Sequence, residues 1–374
     1  MKLLIITKSY PPSIDGVGDY SFHLKKALEK EVDIERVFIA TSLTSKEANV
    51  RGFFYFRYWN IKEFKRLNEF IKKNDISLVF VQYVPYSFNK WGIPVLFPYK
   101  LKLLSRELIV FYHEVRIKRI WWKKNFVISL GQQIIAKSLY SIAKRVITSN
   151  SFYGQLISNN DFEKKIHIIP IGSNLNLGRG SLGSENIPTG NFTLVSFGQA
   201  IRSYEHILEA AKILVPNIPN LRLLFLGALK EEETVNILRK SRELEVAHLL
   251  RITGPLTAKE IHAELKASDL YLMLENFNSN TWNGTSFRSG SLAAAIEAGL
   301  PIIGYNGPLT NHSLKLCRGV MLLDDFSVEA LAKAVLRFYS IDSSEKKALS
   351  DAVRVLYEEK LSWKAIVRRL KETF

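Results

Sequence analysis

Uninterrupted apolar runs alternate with stretches of helical spacing from one end of the sequence to the other. In the first half, MKLLIIT (1–7), VFIAT (37–41), SLVFVQY (77–83), LIVFYH (108–113), RVITSN (145–150) and KIHIIPIG (165–172) read as strands, with FFYFRYW (53–59) a further candidate. Residues 20–31, 61–73 and 96–105 carry apolar positions at helical intervals. A strand that is apolar at consecutive positions is covered on both faces, whereas one facing water would alternate. Such strands joined by helices predict a parallel, doubly wound α/β sheet.

The pattern stops at LNLGRGSLGSENIPTGN (175–191), a Gly-, Ser- and Asn-rich stretch without periodicity that reads as a linker. It then restarts. FTLVSFG (192–198), LRLLFLG (221–227), LLRITG (249–254), DLYLML (269–274), PIIGY (301–305) and VMLL (320–323) alternate with helices at 204–215, 231–243, 257–267, 290–298 and 327–340. Two final helices are expected at 343–358 and 362–372. The expected organisation is a domain over 1–174, a linker over 175–191 and a second domain over 192–358. A chain of 374 residues, 47% hydrophobic, is long enough for two such cores. The longest apolar runs fall far short of the ~20 residues of a spanning helix. The polar Thr7-Lys8-Ser9 after LLII fits an opening strand and not a signal peptide. One cysteine, Cys317, excludes an intramolecular disulfide and makes a cytoplasmic address the default. A small buried hydrophobe is the reading of Cys317, ahead of a nucleophile.

The net charge of +16 is uneven: residues 1–174 hold 28 Lys and Arg against 14 Asp and Glu, and residues 175–374 hold 24 against 22. A basic half suggests an anionic partner. The cations concentrate in EVRIKRIWWKKNFVISLGQQIIAKSLYSIAKR (114–145), beside Trp121, Trp122 and Phe126. Such a segment suits a lipid headgroup region, with aromatic residues inserted and Lys/Arg against anionic lipid. The other reading is a helix whose aromatics pack on the sheet while its cations face water. No recognised DNA or RNA module accompanies the charge, so nucleic acid is not expected. The seven His and one Cys show no ligand spacing, so no metal is expected.

Three loops carry candidate chemistry. In SYPPSIDGVGDYSFHLKKAL (9–28), Gly16 and Gly18 let the backbone approach a ligand, and the helix behind them offers an anion its amino end. A tight turn is the plainer reading. Gly198 ends a strand and Arg202 follows, where a guanidinium can hold diphosphate oxygens in a bidentate way. A surface Arg is the alternative. GTSFRSGSL (284–292) is a Ser- and Gly-rich loop opening the small-residue helix LAAAIEAG (292–299). Ser286, Arg288, Gly290 and Ser291 are expected to line a diphosphate and sugar there. Ser289 or Ser291 also suits a helix cap. His113 ends a strand at the carboxyl edge, where ligands of open α/β sheets bind. Glu114 after it is either its partner or a helix N-terminal acid. A dinucleotide-dependent oxidoreductase is not supported, since the first loop lacks the three-glycine spacing and no acid closes VFIAT.

PPSIDGVGDYSFHLKKAL, VFVQYVPYSF (79–88), FYHEVR (111–116), VITSNSF (146–152), IIPIGSN (168–174), FGQAIRSYEHILEA (197–210), ITGPLTAKEIHAELKASDLYLML (252–274) and GTSFRSGSLAAAIEAGLPIIG (284–304) resemble, in order, segments of the large retaining family of GT-B glycosyltransferases (family 4, glycosyl transferases group 1). The resemblance implies two Rossmann-like domains facing a catalytic cleft, with the acceptor on the first and a nucleotide-diphosphate sugar on the second. It implies that the last helix, within 359–374, crosses back to the first domain. His113 matches the His that such enzymes point at the reacting sugar, with Gly16 beside it on the catalytic side. Gly18, Gly198, Arg202, Ser286, Phe287, Arg288, Gly290 and Ser291 fall at donor-binding positions. Asp15, Asp19, Tyr83 and Glu114 are acceptor-side candidates. No cofactor and no metal is implied, the leaving phosphate itself serving as proton acceptor. The implied partners are the nucleotide sugar, a glycan or lipid-linked acceptor in cell-surface polysaccharide synthesis, and an anionic membrane surface on the cytoplasmic side.

The sequence departs from the family pattern in two places. Ser203-Tyr204-Glu205 stands where a second diphosphate-binding Lys is expected. The family's two glutamates fall at Ser286 and Ala294, and Glu297 is out of register to replace either. An inactive subunit of the same fold, binding a nucleotide sugar without transferring it, is therefore the alternative function.

Overall fold

Four consecutive buried aliphatic side chains, Leu3 to Ile6, make β1 (Lys2–Ile6) the spine of the first sheet. The computed structural model describes residues 1–13, 15–43, 50–119, 124–158, 165–175, 190–198, 203–275 and 282–374. Met1–Ile171 and Trp363–Phe374 belong to one compact unit, and Gly172–Asn278 with Trp282–Ser362 to another.

In the first unit β1 is followed by α1 (Gly16–Leu28), β2 (Arg36–Ser42), β3 (Phe53–Phe56), α2 (Ile61–Lys73) and β4 (Leu78–Tyr83). Then come the short α3 (Pro85–Phe88) and α4 (Phe97–Lys102), β5 (Glu107–Tyr112), α5 (Lys124–Ile142), β6 (Arg145–Thr148), α6 (Ser151–Ile157) and β7 (Ile166–Ile168). The seven strands lie in the order β3-β2-β1-β4-β5-β6-β7, every pairing parallel. The order reverses between β1 and β4, so chain leaves the sheet in opposite directions there and opens a crevice at the carboxyl ends of the strands.

The second unit repeats the scheme. β8 (Phe192–Phe197), α7 (Tyr204–Leu214), β9 (Leu221–Leu226), α8 (Glu231–Glu243), β10 (Leu250–Ile252), α9 (Ala258–Lys266) and β11 (Leu270–Met273) lead to α10 (Gly290–Ala298). β12 (Ile302–Tyr305), α11 (His312–Leu316), β13 (Val320–Leu323), α12 (Val328–Ser340) and α13 (Ser343–Leu356) complete it, with a π-helical turn over Tyr357–Leu361. The strand order β10-β9-β8-β11-β12-β13 is again parallel throughout and reverses between β8 and β11. Two doubly wound parallel sheets, as the sequence pattern implies, are what the chain builds.

Local chemistry fixes the helix starts. Asn60 caps α2 through the Glu63 amide, and Thr257 with Glu260 forms a reciprocal capping box on α9. The first helix begins at Gly16, four residues before the predicted start, because the Asp15 carboxylate accepts from the amides of Val17 and Gly18. The predicted strand 53–59 stops at Phe56. The helices α3, α6 and α11, four to seven residues long, are too short for the periodicity to show.

The last helix, α14 (Trp363–Lys371), is part of the first unit. Its Trp363, Ile366, Val367 and Leu370 join Tyr20, Leu24 and Leu28 of α1 over Phe80, Ile109 and Phe111 of the sheet. The Trp363 ring centroid lies 5.4 Å from that of Tyr20 and 5.9 Å from that of His23. Truncating a buried Trp costs about 3–5 kcal/mol. Trp363→Ala should therefore lower the urea midpoint of the first unit, followed by fluorescence of the remaining tryptophans. An unchanged midpoint would show that α14 is dispensable to that core.

Candidate functional site

In the second unit, the segment before α10 is pinned on every side. The Thr285 amide donates to the Tyr305 carbonyl at 2.8 Å, and a Cβ on Gly304 would collide with the Thr285 hydroxyl. Only glycine therefore lets β12 carry this segment so closely. Ser289 caps α10 by accepting from the Leu292 amide at 3.2 Å, and its hydroxyl lies 3.0 Å from that of Ser291. The helix is apolar and buried along its length, so its dipole ends where Gly290 and Ser291 begin. Asn174 stands beside Gly290, its amide nitrogen 3.5 Å from where a Cβ would sit.

Two polar atoms at this helix end have no partner among the described residues. The Ser286 hydroxyl is buried, as is the Asn174 side-chain oxygen, and neither is hydrogen-bonded. A buried hydroxyl without a partner costs about 1–3 kcal/mol, so its persistence at an anion-attracting helix end points to a ligand that supplies one.

Not all of the predicted loop residues face such a ligand. Phe287 is turned into the core, 2% exposed, and its amide donates to Asn311 Oδ1 at 2.9 Å, so it shapes the loop and does not line a donor. Arg288 Nη2 donates to both carboxylate oxygens of Glu275, at 2.9 and 2.8 Å, just beyond the carboxyl end of β11. The guanidinium expected to meet phosphate is thus held by a carboxylate that the sequence patterns did not flag. Both sequence departures stand: residue 286 offers a hydroxyl, Ala294 is buried, and Glu297 accepts from the Tyr357 hydroxyl at 3.1 Å. Gly198 ends β8 with φ of +135°, and its carbonyl accepts from the Tyr204 hydroxyl at 3.0 Å. Arg202 lies outside the described residues.

In the first unit, the loop after β1 packs against the start of α1. A Cβ on Gly18 would stand 2.9 Å from the Ser9 carbonyl oxygen, so that glycine serves a close backbone approach. Gly16 faces open space. Asp15 spends its carboxylate on the amides of Val17 and Gly18, at 3.1 and 2.8 Å, which leaves α1 a weaker anion site than its glycines suggest. Asp19, next to it, has its carboxyl pushed upward by burial and by the Asp15 charge. Tyr83 is sealed in an aromatic cluster, stacked on Phe88 and Phe97, so its ring cannot touch an acceptor sugar in this arrangement. Glu114 is exposed.

His113 follows β5 directly, its amide donating to the Tyr83 carbonyl at 3.0 Å. Its ring stacks on Phe111 at 4.4 Å and meets the edge of Tyr20 at 5.4 Å. Nε2 lies 2.6 Å from Gln82 Oε1, the side chain one strand over. A lone Gln inside the apolar run LVFVQY was the available signal for this partner. Burial pushes the imidazole down to about 3, so the ring is neutral and donates from Nε2. Nδ1 then carries a lone pair with no partner among the described residues, suited to accept from a hydroxyl. Among the described residues no group of three His, Cys, Asp or Glu could hold a metal ion.

The profile of the family described as Glycosyl transferases group 1 matches residues 182–355. No curated protein matches. Similar solved structures include HepE from Anabaena in complex with UDP and glucose, at 12% identity and TM-score 0.69, covering 100% of this chain and 99% of that one. Sucrose-phosphate synthase from Thermosynechococcus elongatus matches at 16% identity and TM-score 0.70, covering 99% and 97%. WaaG, a glycosyltransferase involved in lipopolysaccharide biosynthesis, matches at 12% identity and TM-score 0.64, covering 99% and 98%. The shared fold is GT-B.

The His113 environment has a consequence for stability. Its folded value, about 3, lies below the ordinary imidazole value of 6.5, so the unfolded chain binds an extra proton between those limits. Stability is intact above pH 6.5 and falls as pH drops towards 3, by at most roughly 1.4 kcal/mol per pH unit from this group. Urea unfolding of the protein and of His113→Gln between pH 4.5 and 7.5 should give a shallower slope for the variant. Equal slopes would remove His113 as the cause.

Proposed function

We propose that the chain, whose residues 182–355 match the domain family described as Glycosyl transferases group 1, transfers a sugar from a nucleotide-diphosphate sugar to a glycan or lipid-linked acceptor. The observation that carries the proposal is the amino end of α10, inside that domain, where the Ser286 hydroxyl is buried without a partner. A diphosphate oxygen or sugar hydroxyl supplies the missing hydrogen bond, and the helix end favours its negative charge. UDP-sugars are the first donors to test, since HepE binds UDP and glucose.

In the reaction, the bond between the anomeric carbon and the diphosphate oxygen breaks, and its electron pair leaves with the nucleoside diphosphate. Arg202 and the α10 amino end meet that growing charge, a differential interaction that lowers the barrier. Arg288, committed to Glu275, holds the loop in shape. The acceptor oxygen bonds to the anomeric carbon, with retention, and its proton passes to the leaving phosphate. By the family resemblance His113 is the residue that meets the sugar, and its neutral ring offers Nδ1 as an acceptor that adds no charge. On this reading Arg202 and the α10 amino end take the place that a metal ion would have. The family resemblance extends the proposal to cell-surface polysaccharide synthesis, with the protein cytoplasmic and peripheral on the membrane through residues 114–145.

Two observations favour the alternative, an inactive nucleotide-sugar-binding or regulatory subunit: residues 286 and 294 lack carboxylates, and Arg288 is paired with Glu275. Nucleotide release from a panel of UDP-, GDP- and ADP-sugars separates the two. Turnover with one donor is expected; tight binding of a donor with no release from any would establish the subunit instead. Arg202→Ala should raise the dissociation constant of the donor by roughly tenfold or more, as befits a charged hydrogen bond, read by calorimetry. An unchanged constant would take Arg202 out of the site.

A further inference from the structure

One polar residue interrupts the apolar run of β4. Leu78, Val79, Phe80 and Val81 are buried, and Gln82 follows them, 1% exposed. Alternate residues of a strand share a face, so Leu78, Phe80 and Gln82 point one way, as do Ile109, Phe111 and His113 along the neighbouring β5. Leu78, Phe80, Ile109 and Phe111 belong to the core that α1 and α14 cover. At the carboxyl edge both rows turn polar at once, and the two polar side chains meet, His113 Nε2 standing 2.6 Å from Gln82 Oε1.

Stability does not account for a glutamine at this position. Its Nε2 is buried without a partner among the described residues, a cost that an apolar side chain would avoid. The same holds for His113 Nδ1 and for the hydroxyl of Tyr20, whose ring centroid lies 5.4 Å from that of the imidazole. Three such atoms on adjoining side chains, at the carboxyl edge of the first sheet, mark this end of the layer as a place for a ligand. The amide also differs from the partner that a histidine base has. A carboxylate at hydrogen-bond distance draws a second proton onto the ring. An amide carbonyl accepts the Nε2 proton without charge, which leaves the lone pair on Nδ1.

We propose that Gln82 is a positioning residue for His113, whose imidazole proton it holds at Nε2 so that Nδ1 is presented as an acceptor only. The site consequently reads polarity. A sugar hydroxyl donates to Nδ1, whereas a fluorine or a methoxy oxygen in its place would set lone pair against lone pair. This selection rests on the reading above, that His113 meets the sugar; the fixed tautomer does not. Gln82 acts through His113 in both.

Nitrogen NMR of the full chain with isotope-labelled histidine tests the tautomer without any substrate, because a protonated ring nitrogen and one with a lone pair resonate far apart. His113, identified by the signals that His113→Gln removes, should show Nε2 protonated and Nδ1 unprotonated at neutral pH. Gln82→Glu, of nearly the same volume, should place a proton on Nδ1. Gln82→Met, which keeps the size and removes the amide, should bring the two nitrogen signals closer together. A proton on Nδ1 in the parent, or a ring unaltered by both substitutions, would overturn the proposal. Should one variant fail to fold, the parent spectrum and the other variant decide. With the donor that the nucleotide-sugar panel identifies, Gln82→Glu should lower kcat/KM about tenfold or more and leave the affinity for the free nucleoside diphosphate unchanged. An unchanged kcat/KM with the proton moved would overturn the selection of a hydroxyl. No turnover of any donor by the parent, with the expected ring signals, would end the transferase reading and leave the tautomer assignment standing.

Discussion

Parallel pairing is the constraint from which the rest follows. Every strand pair in both sheets is parallel, so each connection must return across a sheet face before the next strand begins. Strand carboxyl ends and helix amino ends are thereby gathered at one edge of each sheet. Where the strand order reverses, neighbouring connections part and leave a crevice lined by those ends. His113, the Gly16 loop, Gly198 and the α10 amino end all occupy that edge of their own sheet. Their positions are a product of topology before they are a product of chemistry.

The electrostatics within each edge differ from a simple reading of the charges. Arg288 is a cation in composition, but its Nη2 donates to both carboxylate oxygens of Glu275, and what else the loop offers is the α10 dipole and the buried Ser286 hydroxyl. Asp15 likewise occupies the amides with which α1 would greet an anion. His113 is neutral because burial disfavours its charged form. A cation count at such sites overstates the field that a ligand meets.

What the sequence disclosed depended on whether a signal was local. Buried parallel strands announce themselves as apolar runs, and helices such as 61–73, 231–243 and 290–298 carry their caps and periodicity in neighbouring residues, so both sheets were legible. The serine-rich loop was legible for the same reason. The pairings were not. Glu275 meets Arg288 across a loop, Gln82 meets His113 between neighbouring strands, and Asn174 reaches Gly290 from more than a hundred residues away in sequence. Tyr83 and Phe287 illustrate the converse: each sits in a motif beside candidate site positions yet faces inward, a choice made by packing that residue type alone does not reveal.

The return of α14 to the first unit carries a consequence for synthesis. Tyr20, Leu24 and Leu28 emerge from the ribosome early, but the helix that covers them is translated only after the whole of the second unit. The second unit can therefore complete its core while the first still shows an open apolar flank. For that interval the nascent chain depends on chaperones or on the speed of elongation to keep the flank from straying. A premature stop near its 3′ end would injure the domain encoded at its 5′ end.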